Sequence, residues 1–542
     1  METFDYVIVG SGAAGAILAN RLSADAGVTV CLLEAGPSDR HPFLQIPAGF
    51  IKTLFNPAFT WQFKTEATAQ TGGRRIPIPQ GRVLGGSTSI NGLVYNRGQR
   101  QDYDEWESMG NPGWSYAEVL PYFKRMERRI GGDDAYRGRD GELPVSDIDW
   151  SHPVCDAFIA GAEGMGMPLN PDYNGASQEG VGYFQRTIHR GWRMSTARAF
   201  LWPVRSRANL EIRTNAQATS ILFENRVATG VRYVRGTERG TAAEVRARRE
   251  VIVSCGAINT PKLLQLSGIG SAALLQKIGV PVVHDLPGVG ENLSDHFSVR
   301  VVARAKDVRT MNEMASGIAL GGEIARWLLK RPSILALSPS LVHFFWHSRN
   351  GLDRPDLQGV FSPASYKEGY VGMLDSYPGM TCGVWQHRPY SRGTVQAQSA
   401  DVFADPVVQP NYLEDPRDQQ VLVDGIRLSR RLLQTLELAK YVQEETLPGP
   451  QVSTDDELLA FARRLGVSSY HLNGTAHMGP SSDPTAVVDN QLRVYGLERL
   501  RVVDSSVMPT IPSANICAAT MMLAEKAADL IRGKAALPAA EL

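Results

Sequence analysis

The chain has 542 residues, with Lys+Arg and Asp+Glu equal at 56 each. That length exceeds one simple core and predicts two intimately connected domains, while the even charge balance excludes a bulk electrostatic pull toward nucleic acid or an anionic membrane. Cys31, Cys155, Cys255, Cys382 and Cys517 are widely spaced and form no CxxC pair, so neither a disulfide framework nor a metal site is expected, and a reducing, cytoplasmic setting is.

The opening Met-Glu-Thr-Phe-Asp carries acid and runs into a strand, unlike a basic secretory leader. No apolar run reaches about 18 residues, so no spanning helix is expected; peripheral membrane contact and oligomeric state stay open. Residues 4–10 read as an apolar strand, 16–22 as a helix and 28–34 as a second strand, one βαβ unit of a doubly wound sheet. Residues 37–80 lack periodicity, and an excursion of that length predicts a functional role. β character returns at 210–213, 218–223, 231–234 and 250–254. Thr260 then starts a predicted helix with Pro261 in its first turn. Further β runs are expected at 297–305 and 394–398, and Asp415 followed by Pro416 predicts a capped helix to Leu436. A short strand at 500–504 leads past Pro509 and Pro512 into a last helix at 517–532, and the tail after Gly533 is expected to fray.

The fold class is therefore α/β, with a Rossmann-like dinucleotide-binding domain and a middle part whose lack of any nucleotide signature suits a substrate-facing role. In Gly10-x-Gly12-x-x-Gly15, Gly10 permits the tight turn, Gly12 lets a pyrophosphate approach the backbone and Gly15 allows close helix–strand packing. The following helix N-terminus, with Ala13 and Ala14, turns unpaired N–H groups toward the phosphates. Glu34, at the end of the second strand beside Ala35, stands where a carboxylate accepts hydrogen bonds from ribose hydroxyls. This unit alone does not choose between FAD and NAD.

A second glycine cluster, Gly81-Arg82-Val-Leu-Gly85-Gly86-Ser87-Thr88-Ser-Ile-Asn91, resembles the first of two signature stretches of the glucose-methanol-choline (GMC) oxidoreductases, a family of FAD-dependent alcohol-oxidising enzymes. The stretch from Gly256-Ala-Ile-Asn-Thr260-Pro261 through Ser267-Gly268-Ile-Gly270 resembles the second. With the amino-terminal fingerprint and two carboxy-terminal segments, the resemblance covers nearly the whole chain and is strongest to the bacterial choline-dehydrogenase-like and alcohol-dehydrogenase branch. It implies FAD, held by a discontinuous domain of residues 1–150, 200–300 and 465–542. A discontinuous α+β substrate domain with an antiparallel sheet is expected from 151–199 and 301–464. Gly85 and Gly86 leave room against the backbone, and Ser87 and Asn91 supply short donors. The implied cofactor contacts extend to Arg82, Gly92, Val94, Ala218, Asp504 and Ile516. Where some relatives carry a histidine linked covalently to the flavin, this chain has Ile90, which implies non-covalent FAD.

Removing a hydroxyl proton and a hydride from an alcohol needs a base and a group that orients the alkoxide. The resemblance assigns the base to His471, within Ser468-Ser-Tyr470-His471-Leu-Asn-Gly474-Thr475-Ala-His477, and its partner to Asn515. Asparagine cannot take the proton, so it is expected to fix the substrate oxygen. Asn515 also reads as an N-cap for the last helix. His477 is expected to be structural. Relatives usually continue after this Asn with Thr-Asn-Ala-Pro, whereas here Ile516-Cys517-Ala-Ala follows.

Aromatic residues in 342–346 and 380–387 are candidates for substrate contact. No aromatic cage with a carboxylate is legible for a quaternary ammonium, so a neutral aliphatic or aromatic primary alcohol is expected. Electrons would pass to a quinone or other non-oxygen acceptor; the alternatives are an oxidase producing hydrogen peroxide and a lyase of the same family in which the flavin stays idle.

Overall fold

The computed structural model describes residues 2–236, 240–368 and 373–542. Two seven-stranded sheets organise the chain. In the first, the strands Leu210–Arg213, Val30–Leu33, Glu2–Val9, Thr241–Val253 and Leu500–Val502 run parallel in that order. The segments that pair at its centre, residues 5–9 and 251–253 with the strands Val30–Leu33 and Leu500–Val502, are buried, as expected of a parallel sheet covered on both faces. The first half of the long strand Thr241–Val253 pairs antiparallel with Val227–Arg235, which pairs with Ala216–Glu224. Its last residues, Val251–Val253, pair with Leu500–Val502. One strand thus serves a half-buried meander at one end and the nucleotide-type core at the other.

The second sheet is antiparallel throughout: Val442–Leu447, Phe297–Ala305, Gly379–Gln386, Leu357–Ser362, Val342–Trp346 and Gly180–Tyr183, with Val467–Ser468 also paired to Phe297–Ala305. Alternation sorts its two faces. Val299, Val301, Cys382, Val384, Leu357 and Phe361 pack into a core with Val421, Leu422 and Ile426 of the helix Pro416–Leu433. Ser298, Arg300, Gly383, Trp385 and Val360 face the other way, into the central cavity.

Three local expectations change. The helix carrying Pro261 begins at Gly256, so the proline lies in its interior. A prolyl nitrogen cannot donate to the carbonyl of Ala257, and that carbonyl accepts instead from the Thr475 hydroxyl at 2.7 Å. The helix capped by Asp415, whose carboxylate accepts from Arg417 N at 2.9 Å, stops at Leu433, and a separate turn covers Leu436–Ala439. The tail after Gly533 is docked: Ala540 N donates to Ala117 O at 2.8 Å and Leu537 N to the Tyr122 hydroxyl at 3.2 Å. No helix among the described residues is long and apolar enough to cross a membrane.

Candidate active site

The parallel strands end at a common edge, and the loops leaving them form one end of a cavity of about 400 Å³. This is the place where open α/β sheets bind nucleotides. Gly10 has φ +95°, and a Cβ there would lie 2.4 Å from the Ser254 carbonyl oxygen. Gly15 supports the same turn from behind: a Cβ would lie 1.9 Å from the Gly10 carbonyl oxygen. A Cβ on Gly12 would meet nothing within 4 Å, because it would project into the cavity, and its φ is not left-handed. Gly86, at φ +54°, packs against the Gly12 Cα, closing the cradle between the two glycine clusters.

Glu34 is buried at the cavity wall with Ala35. Its carboxylate accepts from Ser11 N at 3.1 Å, the Ser11 hydroxyl at 2.5 Å and Gly36 N at 2.8 Å. Burial pushes its pKa up while those donors pull it back. Asp504 also reaches the wall, but all its work is internal. One oxygen accepts from Gly256 N at 2.9 Å and the Thr260 hydroxyl at 2.6 Å, the other from Ser506 N at 2.8 Å and the Ser506 hydroxyl at 2.5 Å. It braces the three segments that meet beneath the cavity.

Ala13, Ala14, Ser87, Asn91, Gly92, Val94, Ala218 and Ile516 line the same space. Ser87 does not present a free donor, since its hydroxyl accepts from Gly81 N at 3.0 Å and reaches Gln80 Oε1 at 3.2 Å. Three expected contact residues do not line the wall. Gly15 is the packing glycine just described. Gly85, at φ +90°, donates its N–H to the Ser11 hydroxyl at 3.1 Å and shapes the turn behind Gly86. Arg82 lays its guanidinium 4.9 Å over the Trp61 ring, and it is Trp61 that reaches the cavity. The irregular stretch 37–80 contributes Phe50, Leu54, Pro79 and Gln80 besides.

At the other end stand His471 and Asn515, both at the wall. His296 Nε2 lies 2.7 Å from the His387 carbonyl oxygen. A carbonyl only accepts, so Nε2 carries the proton. Burial lowers the His296 pKa to about 4, leaving the ring neutral with a lone pair on Nδ1. His471 Nδ1, 2.9 Å away, must therefore donate. His471 Nε2 then carries the ring's lone pair, which accepts from Asn515 Nδ2 at 3.1 Å. The amide is oriented in turn by Gln358 Nε2, which donates to Asn515 Oδ1 at 3.1 Å. Burial, then the neighbouring His296, holds His471 well below the ordinary histidine pKa. The network assigns a neutral imidazole whose basic nitrogen faces the cavity.

Asn515 is thus not the helix cap expected: Ile516 occupies that position and makes no side-chain cap. His477 stays off the wall, with Nε2 3.1 Å from Asp483. The Cys517 thiol borders the cavity, but burial pushes it up to about 12, far from thiolate chemistry. Of the aromatic candidates, Phe344 is core, whereas Trp385 reaches the cavity 6.1 Å from the His471 ring. Sequence reasoning missed Asp295 and His296. The Asp295 carboxylate accepts from His471 N at 2.7 Å and His296 N at 2.9 Å, and from the Tyr412 and Ser468 hydroxyls. The signal for them was the acid–imidazole pair immediately preceding the strand at 297.

The comparisons agree with this architecture. GMC oxidoreductase family models match residues 4–298 and 389–524. The chain belongs to the GMC oxidoreductases, FAD-dependent enzymes that act on CH–OH donors. Among relatives, it is 41% identical over 538 residues to an oxygen-dependent choline dehydrogenase of Photobacterium profundum, covering 99% of this chain and 94% of that protein. It is 40% identical over 532 residues to an alcohol dehydrogenase (acceptor) of Pseudomonas putida, covering 97% and 95%. Among solved structures, pyridoxine 4-oxidase from Mesorbium loti superposes with TM-score 0.88 at 29% identity, covering 98% of this chain and all of that one. A formate oxidase variant of Aspergillus oryzae RIB40 superposes with TM-score 0.90 at 27% identity, covering 98% of each.

The residues present fit FAD. The Gly12–Gly86 cradle leaves backbone open to a pyrophosphate, Glu34 stands at the strand end, and the Ser254 hydroxyl and the Trp385 indole N–H are buried at the wall with no hydrogen-bond partner in the protein.

Proposed function

We propose that the protein oxidises a primary alcohol to its aldehyde, with FAD bound non-covalently and electrons leaving to a quinone or another non-oxygen acceptor. FAD supplies a hydride acceptor at its N5. The substrate hydroxyl displaces the Asn515 N–H from His471 Nε2; that nitrogen then takes the hydroxyl proton, and the freed Asn515 N–H holds the developing alkoxide oxygen. His296 Nδ1 accepts the Nδ1–H of His471 before and after the transfer, so the ring keeps its orientation as it becomes charged. The observation that carries this reading is the chain of three hydrogen bonds from the His387 carbonyl to Asn515, which leaves one basic nitrogen facing the cavity. Ile90, buried in apolar surroundings with Leu44, Leu54 and Val83, offers no nucleophile for a covalent link. Residues 1–150, 200–300 and 465–542 are assigned to cofactor binding, and 151–199 and 301–464 to substrate binding.

The test is an anaerobic screen of primary alcohols followed by dioxygen or a quinone. Bleaching of the flavin by an alcohol is expected, with faster return of colour on adding quinone than dioxygen. Dioxygen as the faster acceptor would make the protein an oxidase, and a flavin that no alcohol bleaches would favour the lyase. Acid or heat should release the yellow cofactor from the precipitated polypeptide; colour retained in the pellet would overturn non-covalent binding.

A further inference from the structure

The short strand Trp192–Arg193 brings a guanidinium to the back of the cavity wall. Arg193 is buried, and among the described residues it is paired with no carboxylate. It meets carbonyl oxygens instead. Its Nη1 donates to Thr88 O at 3.2 Å, Asn91 O at 2.7 Å and Asn91 Oδ1 at 3.0 Å, and its Nη2 to Pro47 O at 3.2 Å. Its Nε is buried without a hydrogen-bond partner. Burial pulls the Arg193 pKa down to about 9, so the group remains a cation at neutral pH. A buried cation without a counter-charge is costly, and carbonyl dipoles offset only part of that cost.

What this cation holds is the second glycine cluster where it runs along the cavity. Gly86 packs against the Gly12 Cα, and Ile90 packs with Tyr470, the residue before His471. Residues 86–91 therefore lead from the cradle toward the base. Asn91 lines the cavity, whereas Arg193 stands behind it. The Asn91 Oδ1 is occupied, accepting from Arg193 Nη1 and from Leu93 N at 3.2 Å. The end of the amide left without a hydrogen-bond partner among the described residues is Nδ2, with two N–H donors.

We propose that Arg193 is a positioning residue that sets the redox potential of the bound flavin: it fixes the Asn91 amide with its N–H groups toward the ring and polarises them, which favours the reduced cofactor. The inference rests on FAD binding and not on the alcohol-oxidation reading, because the potential belongs to the bound cofactor with no alcohol present. Hydride transfer brings two electrons and one proton to a neutral ring, so reduction adds one negative charge. A fixed donor with a buried cation behind it stabilises that charge more than it stabilises the neutral ring. The uncompensated guanidinium thus gains its counter-charge on reduction.

The test measures the midpoint potential of the FAD-loaded enzyme against a reference dye, with flavin per polypeptide and a melting curve for each variant. Arg193→Gln can still donate to the Asn91 oxygen but carries no charge. It should keep FAD and shift the reduction equilibrium at least ten-fold toward the oxidised form, about 30 mV for two electrons. Arg193→Lys should keep most of the wild-type potential. Asn91→Ala should also lower the potential, and adding Arg193→Gln to it should lower it by less than Arg193→Gln does alone, because the charge acts through the amide. Fully additive shifts would overturn Asn91 as the link. A shift of less than ten-fold in Arg193→Gln, with only FAD occupancy or melting temperature reduced, would make Arg193 a structural tie and overturn the proposal. If Arg193→Gln does not fold, Asn91→Ala decides, and a wild-type potential there overturns it. A potential that shifts as expected in an enzyme whose flavin no alcohol bleaches would sink the oxidation reading and leave this one standing.

Discussion

At the dinucleotide end of the cavity the working surface is mainly backbone: Gly10, Gly12 and Gly86 are placed by steric limits that a Cβ would violate or by open space that a Cβ would fill. At the alcohol end it is mainly side chain, brought from residues 296, 300, 358, 385, 471 and 515. A backbone site depends on a local turn and tolerates little. A side-chain site depends on long-range register, and its members fail by degrees. The difference sets the order in which substitutions should do damage.

The largest effect is expected at the cradle. Gly12→Val should abolish FAD retention, because the new side chain would occupy the open space where a pyrophosphate approaches. The Gly12 backbone is not left-handed, so the substitution strains no turn and the protein should still fold. Gly15→Ala makes the contrast sharp: its Cβ would press on the Gly10 carbonyl at 1.9 Å and should lower thermal stability as well. Flavin absorbance per polypeptide, with a melting curve for each variant, separates the two. Full FAD occupancy in Gly12→Val would show that the cradle does not hold the pyrophosphate.

Next comes the base. His471→Ala should keep FAD and lose roughly 10²–10⁴-fold in anaerobic flavin reduction, with part of the loss returning at high pH where more substrate is already ionised. In the wild type, burial and His296 depress the His471 pKa, so the active neutral ring persists well below pH 6.5. Activity should fall only as pH drops through that depressed value, and an acid limb centred at or above 6.5 would contradict the closed geometry. Asn515→Ala should cost about 1–3 kcal/mol, roughly five- to 160-fold, with no rescue at high pH. Asn515→His should keep measurable activity, since a ring N–H also donates to an alkoxide.

How much was legible follows the same division. The βαβ turn and Glu34 were readable because they form a contiguous pattern whose geometry is local; the second glycine cluster was identified by resemblance. His471 and Asn515 were placed only through resemblance to a family. What held them was hidden: nothing in the spacing of residues 296 and 471 announces that two imidazoles share a hydrogen bond, because the register of Phe297–Ala305 against Val467–Ser468 creates the meeting. Pro261 misled for a related reason. Its position inside a helix is relieved by Thr475, more than two hundred residues away, and no local rule sees that hydroxyl.

The smallest effect is expected at His296, and it tests whether the alcohol end works as a relay or as a single base. His296 touches no substrate in this reading; it positions His471 by accepting its Nδ1–H. His296→Leu removes that acceptor, so the two neutral tautomers of His471 approach each other in energy. The wrong one presents Nε2–H to the alcohol and cannot take its proton. Losing one buried hydrogen bond of about 0.5–1.5 kcal/mol predicts a fall of roughly two- to ten-fold in the limiting rate of flavin reduction, with half-saturation by alcohol little changed. His296→Gln, whose side-chain oxygen still accepts, should recover most of the rate, a rescue that loss of packing alone would not give. A wild-type rate in His296→Leu would dissolve the relay. A loss as deep as that of His471→Ala would instead make His296 the group on which the proton comes to rest.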